Sequence, residues 1–290
     1  MTYDILTEGD NTRHRYTWSG LAEYVERASQ TSSQEMSHTL GVGDANWCAD
    51  SFPVVADYFA HGWREGAAKI ADLAAVVYTQ VTAHMPVLEP EWREAPDTCV
   101  LDMGRYCEGD PECWLEMAES DTFVAAPSSR TVRVVANLTA SCVVEAKTIF
   151  IRGAATLALV DALERTGRSV ELTAVHCVKK YGTILEQVLP LKRFGDLVSP
   201  DVLACALAHP GSLRRITFGV MEMCPAAVRT AIGIRNYEGY GRPSNNITAT
   251  GDIVIPHVDA AHWNSPAAAV EWILETLADQ GVQIIREGGQ

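Results

Sequence analysis

No stretch of this chain approaches the roughly 20 consecutive apolar residues that cross a bilayer, so no membrane-spanning helix is expected. Cations are scarce: 23 Lys and Arg stand against 37 Asp and Glu, and no dense Lys/Arg run occurs. The net charge of −14 disfavours nucleic acid and anionic membrane surfaces, since both need a cationic face. Met1 to Glu8 contain neither a basic nor an apolar leader segment, so the expected location is cytoplasmic. Of the eight cysteines, none forms a Cys-x-x-Cys pair. Cys48, Cys99, Cys107 and Cys113 are spaced too irregularly for a usual four-thiolate zinc site. Reduced, mostly buried thiols are expected instead. A phosphate-binding Gly-x-x-x-x-Gly-Lys loop, a dinucleotide Gly-x-Gly-x-x-Gly, a Gly-x-Ser-x-Gly elbow and His-Glu-x-x-His are all missing. Gly41-Val42-Gly43 reads as a turn.

What is present is best organised between Val132 and Val175. Val132 to Ala136 is apolar and ends in Asn137-Leu138-Thr139-Ala140-Ser141. A helical pattern runs from Arg152 to Glu164, stopped by Thr166-Gly167 before a second apolar run, Ser169 to Val175. Strand, polar loop, helix and strand in that order argue for parallel neighbours, with ligands expected beyond the strand ends.

The 290 residues, 47% hydrophobic, fit one large domain or a domain with an appendage. Residues 1–84 read as a helical N-terminal region, with helices over 19–28, 52–60 and 67–83. Residues 85–129, interrupted by Pro86, Pro90, Pro96, Pro111 and Pro127, read as an irregular arm. A short strand is expected at 100–103 and a helical piece around Trp114. Five of the seven tryptophans precede residue 130; they serve either as interface anchors or to pack the arm.

Residues 130–290 read as the α/β domain. Beyond the first unit come a hairpin turn at 178–182, an antiparallel strand over 183–191, and a helix over 202–208 ended by Pro210. A glycine- and asparagine-rich loop (237–250), a strand (252–256) and a helix over 267–278 capped by Ser265 follow. Strands alternating with helices predict a mainly parallel sheet with helices on both faces.

Asn137-x-Thr139-x-Ser141 can point three oxygens into one crevice, as a hard cation such as Mg2+ requires. The unit resembles the von Willebrand factor A fold, a Rossmannoid α/β fold whose first strand ends in Asp-x-Ser-x-Ser, the metal-ion-dependent adhesion motif. The helix, glycine and strand that follow are similar in length and order. Here Asn137 stands where the family has a carboxylate, so the charge that holds the cation is lost. Asp196, Ser199 and Glu222 are nearest by order to that family's later ligands. The same three residues also read as caps of the following loop. Gly62-Trp63-Arg64-Glu65-Gly66, Gly109-Asp110-Pro111-Glu112-Cys113, Arg152-Gly153-Ala154-Ala155, Ser199-Pro200-Asp201-Val202-Leu203, Ala208-His209-Pro210 and Gly239-Tyr240-Gly241-Arg242-Pro243 carry a second resemblance. They are similar to a group of proteins borne by bacteriophages and mobile elements, which implies that origin and supplies no activity.

Two more clusters bear chemistry. His257, Asp259 and His262 follow a strand end and suit Zn2+ ligation, with His176 as a further member; they also read as a polar edge loop. Arg242, with Tyr240 and Tyr237, can grip a phosphate or a partner chain, or can simply connect elements. The expectation is a non-enzymatic interaction or self-assembling protein with a protein partner and no cofactor, or at most a divalent metal. The alternatives are a metal-dependent hydrolase or nuclease using Asn137, Thr139, Ser141, His257, Asp259 and His262, and a virion or assembly component.

Overall fold

The computed structural model describes residues 1–31, 45–82, 91–94, 100–101, 103–109, 113–118, 131–165, 168–196, 198–236, 239–258 and 263–282. Tyr237, Asp259 and His262, named above, lie outside them, as does most of the span read as an arm.

The chain opens with a hairpin, β1 (Thr2–Glu8) and β2 (Asn11–Thr17), turning at Gly9 with φ +58°. This corrects the purely helical reading of the N-terminal region. Asp4, Glu8, Arg13, His14 and Arg15 interrupt the apolar alternation that would announce strands. Helices α1 (Leu21–Ser29), α2 (Ala45–Cys48), α3 (Phe52–His61) and α4 (Arg64–Thr82) follow. The arm contributes β3 (Glu91–Glu94), β4 (Val100–Leu101), α5 (Met103–Cys107) and β5 (Trp114–Ala118). Its strands form a small antiparallel sheet in the order β3-β5-β4, so the helical piece expected at Trp114 is a strand.

The β6 (Thr131–Asn137), α6 (Ala146–Arg165), β7 (Ser169–Lys180) unit then forms as anticipated, with α6 starting six residues before Arg152. β8 (Thr183–Lys192) returns antiparallel through the turn at Tyr181-Gly182. After α7 (Pro200–Ala208) a π-helical segment, Ser212–Thr217, runs into α8 (Phe218–Glu222) and α9 (Ala226–Ala231). A 3-10 turn (Ile234–Asn236), β9 (Arg242–Pro243), β10 (Ile253–Ile255) and α10 (Pro266–Asp279) complete the chain. Ser265 caps α10 by accepting from the Ala268 N–H at 3.2 Å.

The main sheet has seven strands in the order β1-β2-β8-β7-β6-β10, with β9 added to β7. The pairs β2/β8, β7/β6 and β6/β10 are parallel; β1/β2, β7/β8 and β7/β9 are antiparallel. Residues on either side of position 130 share this sheet and one core.

Side-chain alternation assigns the faces. Val132, Val134, Ala136, Leu172, Ala174, Leu185, Leu189, Ile253 and Ile255 enter the large core with residues of α1, α3, α4, α6, α7, α8, α9 and α10. The opposite face carries a small cluster, Val135, Val175, Cys177 and Ile184, packed against Ile247 and Ala249. Elsewhere that face is polar or open, as at Thr131, Arg133 and Val254. The expected two-sided helix cover is therefore replaced, among the described residues, by helices on one face and the 244–249 loop on the other.

Packing is tight where α6 meets α7. A Cβ on Gly153 would lie 2.3 Å from the Ala208 Cβ and 2.9 Å from its Cα, so only glycine permits this approach. We expect Gly153→Val to force the helices apart and lower stability by about 1–3 kcal/mol, read as a shift in the urea midpoint.

Candidate functional site

β6 ends where Asn137 pairs with Val175, while β7 continues to Lys180. β9 fills the vacated edge, pairing Val178 with Pro243 and Lys179 with Arg242. The chain from Gly239 to Val258 thus covers the carboxyl end of β6, the place where a strand-end site was expected.

Asn137 and Thr139 are buried there and occupied. The Asn137 amide donates to the Ser244 carbonyl at 2.8 Å and to Asn245 Oδ1 at 3.3 Å. Its Oδ1 accepts from the Thr139 N–H at 3.2 Å and hydroxyl at 2.8 Å. Thr139 Oγ1 in turn accepts from the Cys177 N–H, and the Val258 N–H donates to the Thr139 carbonyl. These bonds are those of a loop clasp. Ser141 offers its carbonyl to Arg214. His257 joins through its backbone, its N–H donating to Asn245 Oδ1 at 3.1 Å. Two clusters read separately in the sequence therefore meet at the Asn245 side chain. The other residues named as ligands are held elsewhere: Asp196 accepts from the Arg193 N–H, and Ser199 precedes α7. Glu222 accepts from Thr31 and Tyr240, each at 2.5 Å. Among the described residues no group of three His, Cys, Asp or Glu is placed to hold a metal ion.

His176 points to the helix face. Its Nε2 lies 3.2 Å from Thr217 Oγ1, and its ring stacks on Tyr24 at 6.4 Å. Burial, reinforced by the Arg152 guanidinium, pushes its pKa down to about 3. Burial likewise lowers Arg152 to about 9; its guanidinium donates to the carbonyls of Asn137 and Leu207.

Beneath the loop lies a buried ion network. Arg13, without exposed surface, donates to both oxygens of Glu8 at 2.7 and 2.8 Å, to Glu186 at 3.3 Å and to Asn246. Glu186, equally buried, also accepts the Thr248 N–H and hydroxyl, each at 2.6 Å. Cys177 Sγ donates to the Asn246 carbonyl, and burial, with Glu186 beside it, raises its thiol to about 12.

Arg242, the sequence candidate for gripping a ligand, comes out exposed. It stands directly opposite Lys179 in the β7/β9 ladder. Lys179, Lys180, Tyr181, Gly241 and Arg242 line a cavity of about 550 Å3. Tyr181 adopts φ 45° in the tight turn, is 83% exposed, and lies under the Lys180 ammonium at 5.1 Å. Lys179 and Arg242 have no carboxylate partner among the described residues. Tyr240, expected to share Arg242's role, is instead buried and stacked on Phe218 at 3.7 Å. The lysines and Tyr181 were legible only as a hairpin turn. The available signal was the Lys-Lys-Tyr run in so acidic a chain.

Arg13→Met would leave Glu186 charged and without its guanidinium in the interior. We expect a loss of about 3–5 kcal/mol in urea denaturation, with Arg13→Met/Glu186→Leu recovering much of it. His176 has a folded pKa below its ordinary 6.5, so its contribution to stability is full above that pH and falls as pH drops towards 3. Between pH 7 and pH 5 the native protein should lose about 2 kcal/mol more than His176→Gln, measured by denaturation at each pH.

No curated protein and no solved structure matches this chain. A family model described as a domain of unknown function, DUF7192, matches residues 6–284. With nearly its whole length spanned, the chain belongs to that family.

Proposed function

We propose that this protein is a non-enzymatic interaction protein that takes an acidic peptide segment of a partner in the cleft of Lys179, Lys180, Tyr181 and Arg242. The observation that carries the reading is the Lys179–Arg242 pair. Like charges directly opposite in an antiparallel ladder destabilise it. In a chain of net charge −14, two such cations side by side and without carboxylates suit an anion supplied from outside. Three cations form too short a track for a nucleic acid, which releases counterions along many phosphates. An exposed tyrosine beside them offers the aromatic contact common at protein interfaces. The occupied state of Asn137 and Thr139 supports a structural role for the strand-end oxygens. The von Willebrand A-like reading belongs to the same proposal, supported by the parallel β6-α6-β7 unit.

The test separates binding from folding. Binding of a fluorescent oligoglutamate peptide containing one aromatic residue is measured by anisotropy at two salt concentrations. The native protein should bind, more weakly at high salt. Arg242→Glu should weaken binding by at least about tenfold. Lys179→Thr should weaken binding yet raise stability by about 0.2–1 kcal/mol, since it removes the cross-strand repulsion. No binding by the native protein, or binding that is unchanged in both variants, would sink the reading.

A further inference from the structure

Of the ten large apolar side chains left exposed among the described residues, four lie together at one place. Met1, Tyr3, Ile5 and Leu6 are 50%, 39%, 59% and 38% exposed, and all belong to or adjoin β1. Among the described residues β1 pairs only with β2, so it is an edge of the main sheet. Edge strands normally carry devices that block further pairing: charged side chains, above all lysine, a proline, a bulge or an unusually short length; the only charges on β1 are Asp4 and Glu8. β1 is seven residues long, has neither lysine nor proline, and keeps an unbroken register with β2 from Thr2↔Thr17 to Glu8↔Asn11. Its outer row of backbone donors and acceptors is a template for another strand.

We propose that β1 pairs antiparallel with β1 of a second copy about a two-fold axis at Ile5, joining two seven-stranded sheets into one. The sequence of the strand selects both the partner and the register. A two-fold axis normal to the sheet keeps each residue on its own face, so it must pass through a residue. Centred on Asp4, the pairing sets two carboxylates against each other. Centred on Leu6, it sets Asp4 opposite Glu8 twice. Centred on Tyr3, it leaves Leu6, Thr7 and Glu8 unmatched. Centred on Ile5, all seven residues pair: Ile5 with Ile5, Asp4 with Leu6, Tyr3 with Thr7 and Thr2 with Glu8. No acidic residue then faces another, and the most exposed apolar side chain of β1 lies on the axis against its own copy. Strand self-complementarity of this kind specifies a second copy over an unrelated chain.

The paired edge is small beside the roughly 1,200–2,000 Å2 of a standard stable interface, so a reversible, concentration-dependent dimer is expected. Sedimentation equilibrium on the full chain reads it. Two variants make the register testable, both at exposed positions, with circular dichroism and urea midpoints confirming their folds. Ile5→Lys sets two ammonium groups together on the axis and should raise the dimer dissociation constant at least about tenfold. Leu6→Lys places each new ammonium opposite Asp4 of the second copy and should keep the dimer or tighten it. A native protein that stays monomeric across the concentration range would overturn the proposal. So would a dimer indifferent to Ile5→Lys, or one that both variants disrupt equally, since that outcome means unspecific apolar contact. Peptide binding at the Arg242 cleft is scored separately, and neither result decides the other.

Discussion

A carboxylate without exposed surface in the middle of a sheet has to be matched atom by atom, and Glu186 is matched by groups from two distant parts of the chain. Arg13 reaches it from β2, at the far side of β8; Thr248 reaches it from the loop that crosses the sheet's second face. The same guanidinium holds Glu8 and Asn246. One network therefore joins the N-terminal hairpin to the sheet and pins the 244–249 loop over Val135, Val175, Cys177 and Ile184. The loop then supplies Ser244 and Asn245 to Asn137, and its preceding residues form β9. Arg242 stands opposite Lys179 because everything downstream of it is tied down in this way.

A buried ion pair is weak evidence of stability, since desolvating both charges costs about as much as their attraction returns. Its effect here is on uniqueness. A loop of mainly Ser, Asn and Thr has few apolar groups with which to choose one position, and Ile247 and Ala249 alone would not fix it. Directional bonds to Glu186 and Asn137 do. On the helix face the problem is the reverse: apolar contacts are plentiful, and polar groups serve the ends of the elements. Arg152 binds the Asn137 and Leu207 carbonyls, and Arg214 binds those of Trp47, Ser141 and Val144 while lying over the Trp47 ring at 4.6 Å. Arg214 issues from the π-helical segment, whose wider winding marks a departure from ordinary helix.

The elements legible in the sequence were those whose period was undisturbed. β6, β8, α3, α4, α7 and α10 follow from apolar spacing with Pro, Ser or Gly at the ends, because burial of one face is what both the pattern and the fold record. β1 and β2 were not legible, because an edge hairpin buries so little that charge can occupy most positions. Nor was the single-sided helix cover, although Thr131, Arg133, Glu171 and Thr173 alternate with the apolar residues and hint at an open face. At the site, Asn137 and Thr139 were visible as a strand-end oxygen set, while their joint role with Asn245 depends on a contact 108 residues away in the chain. Arg242 could be singled out, but not Lys179 as its neighbour: strand pairing between sequence-distant segments leaves no local trace.

Local conflict within an otherwise consistent structure is informative, because natural sequences hold such conflicts mainly where function requires them. The polar loop obeys the rules beneath and breaks them above. Beneath, Glu186 and Asn137 have partners for their polar atoms. Above, two cations face each other across a ladder that either could leave by a single neutral substitution. Folding alone gives no reason to keep that pair, and the clasp below would hold the loop equally well with a threonine at either position. The repulsion is small enough, about 0.2–1 kcal/mol, to be carried by a rigid support, and it is relieved whenever an anion enters between the two side chains.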